Sequence, residues 1–143
     1  MYVEKIFTDN EKIQEVAKLH WIRGVPTFIC FLFGIISLVY GIGIIFIIFG
    51  FYFSFKNKTT EMVVTNKRVI SKVGIIAVHL GELRNIKVES VRLHQGILDR
   101  MLGCGNIEFT GTGTTAVVFK DVADPAQTMS RIKEIIDKTK NEI

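Results

Sequence analysis

Cysteine is scarce in this sequence: Cys30 and Cys104 are the only two, their surroundings differ, and no CxxC pair occurs. That excludes a disulfide framework and a zinc ribbon, and both thiols read as free in a reducing compartment. Histidine is limited to His20, His79 and His94, without HExxH spacing, so no metal site is expected. A phosphate-cradling GxxxxGK[ST] loop is also missing. Gly111-Thr112-Gly113-Thr114-Thr115 resembles one superficially but has no lysine, and its glycines suit a hairpin turn. No acid pair or nucleophile–base set points to catalysis, so the expectation is a non-enzymatic protein with no cofactor. The surplus of basic charge is small: 18 Lys and Arg against 14 Asp and Glu, a net +4, too mild to point to nucleic acid.

The most informative absence is local. No charged residue occurs from Gly24 to Phe55, a gap bracketed by Arg23 and Lys56. A secretory leader has a shorter apolar core, lies nearer the start and ends in small residues, so this segment reads as a permanent membrane segment. As one helix it would run roughly 48 Å, against a hydrocarbon core of about 30 Å. As two helices each arm would be short, at roughly 23 Å, with Leu19-His20-Trp21-Ile22 able to extend the first. Three features favour the hairpin. Tyr40-Gly41-Ile42-Gly43 offers an interfacial aromatic and two turn-permissive glycines at the middle. Trp21 and Tyr52 stand where an aromatic belt would place them. Basic residues flank both ends (Lys12, Lys18 and Arg23 before; Lys56, Lys58, Lys67 and Arg68 after), which puts both flanks in the cytoplasm and requires an even number of crossings. The alternative is one long tilted helix in which Gly41 and Gly43 serve only packing.

On either side lie signals of a small folded domain. Residues 1–23 read as an N-terminal unit. Thr8-Asp9-Asn10-Glu11 is a capping box, and Ile13, Val16, Ala17 and His20 recur at helical spacing, so the pattern predicts an amphipathic helix over 9–20. Residues 60–120 read as six or seven short strands. These are Val63-Val64-Thr65, Val69-Ile70-Ser71, Ile75 to Leu80, Ile86 to Gln95, a run containing Ile107 and Phe109, and a return strand with Val117, Val118 and Phe119. The apolar parity shifts between Val88 and Val91, which predicts a bulge or bend. Ile97 to Leu102 reads as one helical turn closed by Gly103. Asp124-Pro125-Ala126-Gln127 opens a last helix, with Asp as cap and Pro in the first turn, and Met129, Ile132, Ile135 and Ile136 form its apolar stripe. Short connections imply antiparallel pairing. The expected whole is a membrane helical hairpin followed by a small, mostly-β domain, a partly open antiparallel barrel plugged by a C-terminal helix. The segments are 24–55 for the hairpin and 56–143 for the cytoplasmic domain.

Two polar groups are candidate sites. Lys56, Lys58, Lys67, Arg68 and Lys72 crowd the sequence after the apolar segment, and near an anionic leaflet each charge contributes about 1 kcal/mol within a Debye length. The plainer reading is that Lys56 and Lys58 fix topology while the rest solvate a strand face. Arg92, His94 and Arg100 surround the loop from Gln95 to Gly105, where Asp99 offers Arg92 or Arg100 a structural partner. Cys104, between two glycines, reads as an exposed thiol with nothing beside it to lower its pKa. Asn57-Lys58-Thr59 matches a glycosylation acceptor but abuts the membrane on its cytoplasmic side.

The motifs TNKRVISKVGI, IKVESVRLHQGILDRMLGCGNIEFTGTG and FKDVADPAQTMSRI, in this order over about residues 60–136, resemble bacterial and archaeal PH-like (pleckstrin-homology-like) domains that follow a pair of membrane helices. The resemblance implies a fold and a membrane context, and carries no catalytic residues. Phosphoinositide-binding PH domains use a basic first hairpin loop; here that loop is only Asn66-Lys67, too short to cradle an inositol phosphate. The expected protein is therefore an integral protein of the cytoplasmic membrane. Its domain binds itself or another membrane protein as a scaffold, or else binds anionic membrane lipids through the basic cluster.

Overall fold

The computed structural model describes residues 2–7, 10–75, 77–113 and 116–142. Along the chain run β1 (Ile13–Val16), α1 (Val25–Ile36), α2 (Gly43–Lys58), β2 (Glu61–Thr65), β3 (Arg68–Val73) and β4 (His79–Arg84). Then follow β5 (Val88–His94), α3 (Ile97–Leu102), β6 (Cys104–Gly111), β7 (Ala116–Ala123) and α4 (Pro125–Asn141). One antiparallel sheet has the order β1-β2-β3-β4 and the other β5-β6-β7. They pack on each other without closing into one barrel; among the described residues one isolated bridge, Leu19 to Val122, ties the segment after β1 to β7.

The core lies between the sheets. Phe109 and Phe119 meet edge to face with centroids 4.9 Å apart, enclosed by Val64, Val69, Ile107 and Val117. α4 covers the open end, burying Ile132 and Ile136 and packing Met129 and Ile135 against the same cluster, as its stripe requires. Asp124 departs from the expectation: it sits in the left-handed region at φ 46° and makes no side-chain cap, while the Thr128 amide donates to its backbone carbonyl as in any helical turn. Pro125, with its preset φ, occupies the helix start.

Two readings of local pattern are corrected, and two others hold. The capping box at 8–11 falls partly outside the described residues, and the helix expected over 9–20 is not formed. Ile13–Val16 is instead a strand that pairs with β2, Ile13 opposite Thr65 and Val16 opposite Val63. A short isolated helix is marginal, whereas an open strand edge offers backbone partners that outweigh propensity. Thus the first sheet draws one strand from before the apolar segment and three from after it. The strand expected over Ile75 to Leu80 begins only at His79 and continues to Arg84; Ile75, Ala77 and Val78 lie in the β3–β4 loop. The parity shift in the next strand is a register irregularity between Val88 and Ser90. Ile97–Leu102 is a helical turn ended by Gly103 at φ 76°, where a glycine escapes the Cβ penalty.

The charge-free segment is a helical hairpin. Short 3-10 turns extend α1 at both ends, so that Trp21–Tyr40 makes 20 helical residues, long and apolar enough to cross a bilayer. Gly41, at φ 72°, reverses the chain into the 16-residue α2. The arms approach closely because glycines line the seam. A Cβ on Gly34 would lie 2.8 Å from Ile47 Cγ1, one on Gly43 would run into the Gly34 carbonyl, and one on Gly50 would press on the Phe31 ring. At the open end the Asn57 amide nitrogen donates to the Arg23 carbonyl at 2.6 Å. Away from the seam the apolar side chains face outward, among them Phe28, Phe33, Ile36, Ile45, Phe49 and Phe55.

Candidate functional site

The basic residues gathered by sequence do not gather in space. β2 leaves the end of α2 and runs away from it, and Glu61 pairs with Lys72 while Val64 pairs with Val69. The Asn66-Lys67 turn therefore lies at the far end of the β2–β3 hairpin, roughly 20 Å from the α2 terminus at about 3.3 Å per residue. There Lys67 is exposed beside a polar crevice shared with Arg68, Glu82, Arg84 and Thr139.

Arg68 is engaged within the fold. Its Nε and Nη2 each donate at 2.8 Å to the two oxygens of Glu11, its Nη1 donates at 2.8 Å to Glu82, and Nη2 also reaches the Ile6 carbonyl at 2.9 Å. The Glu11 side chain is fully buried at this pair. The Glu11 hydrogen bonds, joined by Glu82, hold the guanidinium pKa above its ordinary value despite burial. This Glu11 is the glutamate of the motif read as a capping box; its role was legible only once residues 57 positions apart were brought together.

Lys72 is likewise buried, with Nζ 4.0 Å above the centroid of the Tyr2 ring. Its strand partner Glu61 accepts hydrogen bonds from the Tyr2 and Val3 amides, both at 3.0 Å. Burial pushes the Glu61 carboxyl up, but these two amides and the Lys72 charge prevail and hold it below 4.5. Because the folded state favours the carboxylate, this contribution is complete above that ordinary value and is lost as pH falls through the folded pKa. Glu61→Gln is expected to lower the melting temperature at neutral pH, with the difference from the natural chain shrinking as pH drops below about 4.5. Melting curves taken across that range check it; an equal difference at every pH would contradict it.

Two of the five basic residues stand at the open end of the hairpin. Lys56 borders two crevices, one on each side. The first is formed with Ile22, Pro26, Phe53, Asn57, Asp99 and Asp121. The second is formed with Tyr52, Val73, Gly74, Ile75, Ala77 and His79. Lys58 is exposed. Among the described residues no carboxylate pairs with either lysine. Arg23 completes this end, its Nε 3.4 Å from Asp121. Asn57 is half-buried, and its side-chain amide is engaged by the Arg23 carbonyl.

The second polar group does not converge. Arg92 lies on β5 opposite Glu108 in register, His94 Nε2 meets Glu108 Oε2 at 2.9 Å, and Arg100 stands exposed on α3. Asp99 pairs with neither arginine. It accepts from the Gly96 amide at 3.0 Å and from Cys104 Sγ at 3.8 Å. Cys104 is buried, not exposed, and burial together with Asp99 and Asp121 pushes its thiol pKa up, so it is a packed core residue. The turn after β6 falls partly outside the described residues.

The comparisons with known proteins agree with this architecture. A family model described as "Bacterial PH domain" matches residues 14–137. A crystal structure of a pleckstrin homology domain from Shewanella amazonensis SB2B is similar, with a TM-score of 0.50, 13% identity, and coverage of 94% of this chain and 92% of that one. No curated protein matches the chain.

Proposed function

From the premise that this chain belongs to the bacterial PH domain family, we propose that it is a non-catalytic integral membrane protein whose hairpin holds a protein-interaction domain against the cytoplasmic leaflet. A PH-like fold is a generic module for binding lipids or proteins. The carrying observation is the hairpin itself: no charge from Gly24 to Phe55, apolar side chains turned outward, and Arg23, Lys56 and Lys58 grouped at its open end. Such a surface far exceeds the apolar patch of about 300–600 Å² that soluble monomers carry, and basic residues at one end fix the cytoplasmic side.

The protein-binding reading is favoured over head-group recognition because Arg68 and Lys72 are occupied by Glu11, Glu82 and Tyr2, and Lys67 lies at the end of the sheet away from the hairpin. What the domain offers instead is β4, an outer strand with no neighbour on its free side among the described residues, carrying exposed Leu80 and Glu82. A free edge accepts an added strand through its unpaired backbone groups.

Two measurements test this. The full chain is expected to stay in the membrane pellet after alkaline carbonate washing and to leave it only with detergent; release by carbonate would overturn the anchor. A photocrosslinking residue at Leu80 or Glu82 is expected to capture a discrete protein adduct in native membranes, absent from the same probe at Lys133 on α4. Equal labelling at the three positions would count against β4 as the binding edge.

A further inference from the structure

The two loops beside the hairpin base carry apolar side chains that the domain does not bury. On α3, Ile97, Leu98 and Met101 are 84%, 71% and 80% exposed. On the opposite side of Lys56, the β3–β4 loop exposes Ile75 and Val78. The two loops come from different sheets and are far apart in sequence, yet each shares a crevice with the last turns of α2. Asp99 lines its crevice together with Pro26 in the first turn of α1 and Phe53 in α2, which sets α3 level with the start of the apolar arms.

We propose that α3 and the β3–β4 loop form an apolar collar that enters the interfacial layer of the bilayer around the hairpin base. The inference rests on the hairpin being a membrane anchor, and adds that the domain itself docks on the lipid. Continuity names the bilayer as the occupant: Asp99 on α3 and Ile75 in the β3–β4 loop line crevices shared with Phe53, Tyr52 and Lys56 of α2, so both loops stand at the base of the outward apolar arms. Charge placement agrees. The one acid of α3, Asp99, is turned inward onto Gly96 and Cys104, while Arg100 faces outward with no carboxylate partner among the described residues, and Lys56 lies between the loops. Apolar tips flanked by basic side chains are the composition of segments that lie in the interface. The collar would hold the domain upright and leave the Arg84 end of β4 and the β2–β3 turn facing the cytoplasm.

The test uses the full chain, with Cys30→Ala, reconstituted in phosphatidylcholine–phosphatidylglycerol vesicles; buried Cys104 is retained. An environment-sensitive fluorophore is attached at Leu98→Cys, at Met101→Cys, at Ile45→Cys in the hairpin, or at Lys133→Cys on α4. All four sites are exposed, so labelling leaves the core intact. Nitroxide lipids labelled near the head group are expected to quench the probes at 98 and 101 by roughly twofold or more and leave the probe at 133 unchanged, while nitroxides deep in the acyl chain quench the probe at 45. Quenching at 45 without quenching at 98 and 101 would overturn the collar and leave the anchor standing, as would probes at 98 and 101 shielded from aqueous iodide but untouched by nitroxide lipid, the signature of a protein contact. Absence of quenching at 45 would overturn the anchor, and the collar with it.

Discussion

Arg68→Ala is expected to destabilise the domain by about 3 kcal/mol or more, because it leaves a buried carboxylate without its counter-charge. Glu11 has no exposed side-chain surface and receives two of the guanidinium's donors, while Glu82 and the Ile6 carbonyl take the others. The loss is therefore dominated by desolvated Glu11, not by the mean value of a surface ion pair, which is below about 1 kcal/mol. Arg68→Lys is expected to recover only part of it, since an ammonium cannot fork onto both Glu11 oxygens and still reach Glu82. Removing both charges, as Glu11→Leu with Arg68→Met, is expected to cost much less than Arg68→Ala alone, because no buried charge is then stranded. Thermal melting of the detergent-solubilised chain measures all three. If Arg68→Ala melted with the natural chain, the assignment of Arg68 to the fold would fail and a surface role would return.

Gly43→Leu is expected to open the hairpin, at a cost of about 3 kcal/mol, the upper part of the usual overpacking range. The added Cβ would meet the Gly34 carbonyl oxygen and the Leu38 backbone, which are not side chains that can rotate aside. The arms must move apart, and the seam packing of Phe31 against Phe51, with centroids 5.3 Å apart, is lost with them. Gly24→Leu is the matched control: nothing lies within 4 Å of its Cβ, and the residue stands at the start of the same hairpin. Protease protection of the segment in native membranes reads the difference. Protection of the Gly43→Leu chain equal to that of the Gly24→Leu chain would show that the arms do not depend on this seam.

Much of the architecture could be read without coordinates wherever its cause is local. The absence of charge from Gly24 to Phe55 fixes an apolar helical segment whatever surrounds it, and Gly41 turns it because a glycine takes a positive φ at no steric cost. The stripe at Met129, Ile132, Ile135 and Ile136 fixes a helix that must cover a core. Gly103 after a six-residue helical turn ends α3 for the same local reason.

The candidate site was less legible. The segment Thr65-Asn66-Lys67-Arg68-Val69-Ile70-Ser71-Lys72 places its cations within one short window, and a window cannot say what each will face. Register decided that: one turn sends Lys67 to the far end of a hairpin, and period two turns Lys72 under Tyr2. Glu11 and Val16 present the same limit before the apolar segment. Ile13, Val16, Ala17 and His20 stand at helical spacing, yet Ile13–Val16 is a strand, because the free edge of β2 lies within reach only after the hairpin has brought its two ends together at Arg23 and Asn57.

The charge-free hairpin, the mainly antiparallel domain and the closing helix follow from the order of residues alone, since each rests on side-chain periodicity or on one residue's backbone freedom. Long-range packing was needed to show that the domain borrows its first strand from before the hairpin, that Arg68 and Lys72 serve the fold, and that α3 stands beside the hairpin base. The physical reason is common to all three: strand pairing, ion pairing and docking depend on which distant groups meet, and a charge or an edge has no fixed role until its partner has arrived.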